Sequence, residues 1–131
     1  MIQVTDDDDE FLFWCRDAFR CAVFVDEAPE LCRDDKRGRE FHWLATQGRH
    51  WGHRCHFISQ GPKGIAHQVR ANCTDLYAFS LYPAEAAKLF QERGEAWTQK
   101  TATLPQGHFY YARPFAEPVL HRLWATPTAR A

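Results

Sequence analysis

The run Cys21, Ala22, Val23, Phe24, Val25 is unbroken and apolar, and it stops abruptly at Asp26 and Glu27. Consecutive apolar residues without alternation have no polar face to turn to water, so the run predicts a strand buried on both faces, as in the interior of a parallel sheet. The two acids that end it then fall where ligands collect in such sheets, beyond the carboxyl end of a strand.

The rest of the chain alternates strand-like and helix-like segments. Met1 to Thr5 reads as a short strand, and the acidic run Asp6 to Asp9 can cap and favourably charge a helix start. A helix is expected from Glu10 to Arg20, with Phe11, Trp14, Cys15, Ala18 and Phe19 as its apolar stripe. Leu31 to Arg39 is charged and loop-like. Glu40 to Thr46 reads as a helix ending near Gly48, and Arg54 to Ser59 as a second strand. A helical turn over Ile65 to Arg70, a third strand over Asp75 to Leu81, a helix opened by Pro83 and stopped by Gly94, and a last strand over His108 to Ala112 follow. Val119, Leu120 and Trp124 lie in the tail beyond Pro114. This order predicts one α/β domain over 1–131 with a mainly parallel sheet flanked by helices.

Composition supports a packed domain: hydrophobic residues make up 45% of the 131, and 16 basic against 17 acidic side chains leave a net charge of -1. That balance excludes a general polycationic surface of the kind that binds nucleic acid without specificity, though not a local basic patch. The cysteines Cys15, Cys21, Cys32, Cys55 and Cys73 are odd in number and lack CxxC spacing. With an acidic N-terminus where a secretory signal would be basic, they predict reduced thiols and a cytoplasmic protein. No apolar run approaches the roughly 20 residues that span a bilayer.

Asp26, directly after a buried strand, is suited to holding the Mg²⁺ of a nucleotide through water, since that hard ion keeps part of its hydration shell. Glu27 beside it can orient or deprotonate an attacking water. The competing reading is a plain turn after a strand, and the acids alone leave the two open. Gln60, with Ser59 before it, ends the next strand and can sense a γ-phosphate or bond the lytic water. Arg49, between Gly48 and Gly52, can offer its charge to phosphate on a neighbouring subunit. His50, His53, Cys55 and His56 are of zinc-ligand type, but on a strand Cys55 and His56 face opposite sides and do not share one tetrahedral ion. A polar loop running into a strand is the simpler reading.

In order, the sequence holds an acidic turn, a helix, an apolar strand ending in Asp26-Glu27-Ala28, the loop Gly48-Arg49-His50-Trp51-Gly52, an apolar strand ending in Ser59-Gln60, and Arg70-Ala71-Asn72 with Asp75 before a further strand. That order resembles the second half of FtsK/HerA-like P-loop ATPases, including phage and plasmid DNA-translocation proteins and the Zot-like group. The resemblance covers residues 1–93, with an echo in 104–112. It implies a partial RecA-like core, with Asp26 as the Walker B metal carboxylate, Glu27 as the catalytic glutamate, Arg49 as a trans-acting finger and Gln60 as the polar sensor. It further implies Mg-ATP as cofactor, a ring of this or a related ATPase subunit as partner, DNA reached through that assembly, and the host cytoplasm as location if the protein is phage-encoded.

The chain departs from the family in having no GxxxxGK[ST] loop; the Gly61-Pro62-Lys63-Gly64 turn has neither its spacing nor its Ser/Thr. Without that cradle of backbone amides nucleotide affinity should be weak or absent. The family's missing strand lies between the one ending in Ser59-Gln60 and the one containing Leu76 to Leu81, so its loss should leave two strand edges open. Two functions compete. One is a partial or degenerate ATPase of DNA translocation or packaging, active only when completed by a phosphate-binding half. The other is a non-enzymatic docking or scaffold module, with Phe109, Tyr110, Tyr111, Phe115 and Trp124 as candidate interface aromatics. A third, minor reading is a metal- or nucleic-acid-binding protein built on Arg49, Arg54, Lys63 and the His/Cys cluster.

Overall fold

Asp7 caps the first helix, α1 (Asp8–Asp17), by accepting the Glu10 amide at 2.9 Å, and Thr5 supports the turn by bonding the Asp7 amide and the Glu10 carboxylate. The computed structural model describes residues 1–124 of the chain. Residues 1–5 form no strand, contrary to the expectation: Met1, Ile2 and Val4 stand in solvent, and Thr5 is taken up by the cap. The helix also ends earlier than its apolar stripe suggests: Ala18 is already extended, with φ -92° and ψ 163°, and Arg20 then takes a left-handed backbone with φ 58°.

The chain gathers into two compact units, the first made of residues 1–59 and 64–72, the second of 60–63 and the chain from 73 onward. In the first, β1 (Ala22–Val25) pairs in parallel with β2 (Arg54–Phe57), with Ala22 opposite Arg54 and Val25 opposite Phe57. Between them lie α2 (Ala28–Leu31), a 3-10 turn, α3 (His42–Thr46) and a second 3-10 turn, Gly48–Trp51; α4 (His67–Asn72) follows. Val23 and Val25 turn into a core with Leu12, Phe41, Leu44 and Val69. The other face of the pair is open, so β1 is not buried on both sides: Phe24 is 60% exposed and stacks on His56 with ring centroids 4.6 Å apart.

One buried histidine of this unit is matched to backbone at both ring nitrogens. The buried His53 bridges two segments, with Nε2 2.8 Å from the Cys15 carbonyl and Nδ1 accepting the Cys21 amide at 3.2 Å. Burial, and then the nearby Cys21, pushes the Cys15 thiol up to about 11. Gly38 is required by space, since a Cβ there would lie 2.2 Å from the Arg33 carbonyl oxygen.

The second unit has a different sheet. β3 (Leu76–Ala78), β4 (His108–Ala112) and β5 (Val119–Arg122) run antiparallel in that order. The expected mainly parallel sheet is therefore reduced to one parallel pair: β4 runs antiparallel to β3, and the tail beyond Pro114 adds β5 antiparallel to β4. α5 (Pro83–Arg93) has Pro83 in its first turn and ends at Gly94, φ 69°, as its sequence predicts. With α6 (Trp97–Lys100) it packs Leu89 and Trp97 against Ala78 and Ala112. Tyr110 joins that core beside Trp97, whereas Tyr77, Phe79, Phe109, Tyr111 and His121 form linked ring contacts on the opposite sheet face. The interface candidates thus divide between faces, and Phe115, at the hairpin tip, stands fully in solvent. Among the described residues β2 pairs only with β1 and β3 only with β4, so each keeps one edge without a strand neighbour.

Candidate functional site

β1 leaves the core at Val25, which is 1% exposed, and the next residue, Asp26, is in solvent. Its Oδ1 accepts the Glu27 amide at 2.9 Å, which tightens the turn. Glu27 then adopts a left-handed backbone, φ 48° and ψ 42°. A non-glycine residue held there stores about 1–3 kcal/mol of strain and needs its surroundings to hold it. Two groups do so. Ala28, fully buried, donates its amide to the Ile58 carbonyl at 2.9 Å, and Pro29 sets the first turn of α2. Ile58 in turn donates to the Val25 carbonyl at 2.9 Å, so the pairing of the two segments continues past the end of β2.

This geometry brings Asp26, Glu27 and Ser59 to one edge, where both parallel strands end. Gln60 is the next residue, exposed, and belongs to the second unit. Arg49 is elsewhere. Its 3-10 turn precedes β2 and is tied to the start of β1 by the Arg20 amide donating to the Trp51 carbonyl at 2.9 Å. The strands are parallel, so Arg49 lies at their starting edge, roughly 13 Å of strand rise from Asp26. The zinc-type residues are dispersed: His53 is bonded to backbone, His56 stacks on Phe24, and His50 is exposed. Among the described residues no group of three or more His, Cys, Asp or Glu side chains is placed to hold a metal ion, and no helix is long and apolar enough to cross a membrane.

The chain superposes on the genome packaging NTPase B204 from Sulfolobus turreted icosahedral virus 2. In complex with AMP the TM-score is 0.70 at 16% identity, over 91% of this chain and 64% of that one; in complex with ATP-gammaS it is 0.72 at 16%, over 95% and 66%. The two share a fold. This chain therefore spans about two thirds of the length of B204 and shares its α/β fold over that part. No protein-family model and no curated protein matches it.

Sequence reasoning found the acids at the end of β1 but not the left-handed Glu27 or the bond from Ala28 to Ile58. Pro29 is the only local hint that a helix starts so soon after the strand. The left-handed Arg20 had no signal at all, because an arginine carries no preference for that conformation.

Proposed function

We propose that this chain is a partial P-loop ATPase-like protein, related to DNA translocation and packaging motors, that acts on a nucleotide only when a phosphate-binding half is supplied by another polypeptide or segment. The observation that carries this is the Asp26–Glu27 turn, strained at Glu27 and fastened to Ile58 at the edge where both parallel strands end. Strain held in place by its surroundings accumulates at functional sites. The likeness in fold to a nucleotide-bound packaging NTPase supports the same reading.

In this reading Asp26 holds Mg²⁺ through water. The donor set fits only in part: one hard carboxylate suits an ion that takes its remaining ligands from water and nucleotide phosphates. The ion would neutralise phosphate charge. Glu27, itself the left-handed residue of the fixed turn, accepts a proton from an attacking water or orients it, while Ser59 supplies a polar contact. Arg49, at the opposite edge, has no reach to the nucleotide of its own subunit and acts on that of a neighbour. The partners are further copies or related ATPase subunits, with DNA reached through the assembly.

Isothermal titration with Mg²⁺-ATP, alone and with the complementing phosphate-binding half of a related ATPase, tests this. Binding that Asp26→Ala weakens, with hydrolysis that Glu27→Gln abolishes, supports it. An absence of binding in both arms removes the nucleotide role and leaves the docking-module reading, which the one-sided ladder of β2 favours.

A further inference from the structure

The arginines of the first unit fall into two groups. Arg33, Arg37 and Arg39 are each paired with a carboxylate, Arg37 with Asp8, Asp9 and Glu40 at once. Arg16, Arg20, Arg49 and Arg54 are exposed, and among the described residues none of them has a carboxylate partner. These four come from the last turn of α1, the link to β1, the 3-10 turn and the start of β2, and the fold brings all of them to the starting edge of the strand pair. The left-handed Arg20 is part of the reason: its amide is fixed to the Trp51 carbonyl, and its side chain lies against Gly52, where a Cβ would sit 2.9 Å from Arg20 Cγ. Asp17 is the one carboxylate on the same stretch.

Aromatic rings are interleaved with these cations. Phe19, 67% exposed, stacks on Trp51 with centroids 5.1 Å apart and planes 25° apart, and the Arg16 guanidinium stands 5.6 Å from the Trp43 ring. We propose that this edge is a binding site for single-stranded nucleic acid. Guanidinium groups without carboxylate partners match phosphate by charge and by forked geometry. A protein carboxylate surface would satisfy the arginines but offers nothing to the outward ring of Phe19, whereas an unpaired base stacks on it. Duplex DNA hides its base faces and would use the cations alone.

Arg49 is shared with the trans-acting role proposed above and is therefore left unchanged in the test, and the carboxylates lie at the opposite edge, so failure of the site leaves the nucleotide reading untouched. Fluorescence anisotropy of a labelled single-stranded 20-mer, beside the duplex of the same sequence, compares the wild type with Arg20→Gly/Arg54→Gln, Phe19→Ala and the control Arg39→Gln. Glycine accepts the backbone of residue 20, and residue 54 is exposed, so the double variant keeps its fold. We expect tenfold or greater loss in the double variant, a salt slope shallower by about 1.4 for two lost phosphate contacts, and several-fold loss in Phe19→Ala for the single strand only. Equal loss in Arg39→Gln, full affinity in the double variant, or no binding by the wild type at low salt would overturn the site. Duplex affinity equal to that of the single strand and unmoved by Phe19→Ala would overturn the stacking assignment.

Discussion

The amide of Ala28 reaches the carbonyl of Ile58 at 2.9 Å because Glu27, between β1 and α2, is in the left-handed region. Replacing Glu27 by glycine removes the side-chain clash of that conformation but adds backbone freedom to the unfolded chain. Thermal melting should therefore show Glu27→Gly equal to the wild type or more stable by up to about 1 kcal/mol, and Glu27→Val, β-branched at positive φ, clearly less stable. A marked loss in Glu27→Gly would mean that the glutamate side chain, not the backbone, holds the turn.

Gly38 sits where a methyl group would meet the Arg33 backbone, and its amide donates to Asp35 Oδ1 at 2.7 Å. Gly38→Ala should lose about 1–3 kcal/mol or more, since backbone rather than a flexible side chain has to move. The Gly38 amide, with Arg33 and Arg39 adding charge, holds the Asp35 carboxyl below the usual carboxylate range. A lowered native value means stability that is present at neutral pH and is lost as pH falls from the unfolded value through the native one. Asp35→Asn should abolish that part of the acid sensitivity, and acid titrations of the two proteins by circular dichroism would show it.

Cys15, with its thiol at about 11, should be close to inert toward iodoacetamide at pH 8 in the native protein. Only about one thiol in a thousand is ionised there, and the side chain is buried. Mass mapping after timed alkylation should find Cys15 modified well after the half-buried Cys21, and at ordinary rates once urea unfolds the chain. Fast labelling of native Cys15 would contradict its burial.

His53 uses one ring nitrogen toward the Cys15 carbonyl and the other toward the Cys21 amide. His53→Leu leaves both backbone groups without a partner, at about 1–3 kcal/mol each. Denaturant melts should show a loss near the sum, and hydrogen exchange should show the Cys21 amide losing protection first.

The elements with local signals were legible in the sequence: Asp7 capping α1, Pro83 and Gly94 bounding α5, and the apolar run that became β1. Asp26, Glu27 and Ser59 were placed at strand ends by the same periodicity, and the structure puts them at a common edge. The failures depended on distant parts of the chain. Met1 to Thr5 has strand-forming residues, but a strand needs a neighbour's hydrogen bonds, and Thr5 is claimed by the helix cap. β5 was hidden because Val119 to Arg122 is short and solvent-facing, and only its register on β4 makes it a strand. The expected parallel sheet failed for the same reason, since strand direction is set by what lies beside each strand rather than within it.

In the parallel pair, Ala22 is matched to Arg54 and Val25 to Phe57. Such a ladder closes a long loop before it gains its first hydrogen bond, and sheets of this kind form slowly. During synthesis, Val23 and Val25 leave the ribosome long before their partners exist, and α1, made before them, packs Leu12 and Cys15 into the same core. On that order α1 can cover the apolar strand that follows it until β2 arrives, a part in folding beside its part in the finished core.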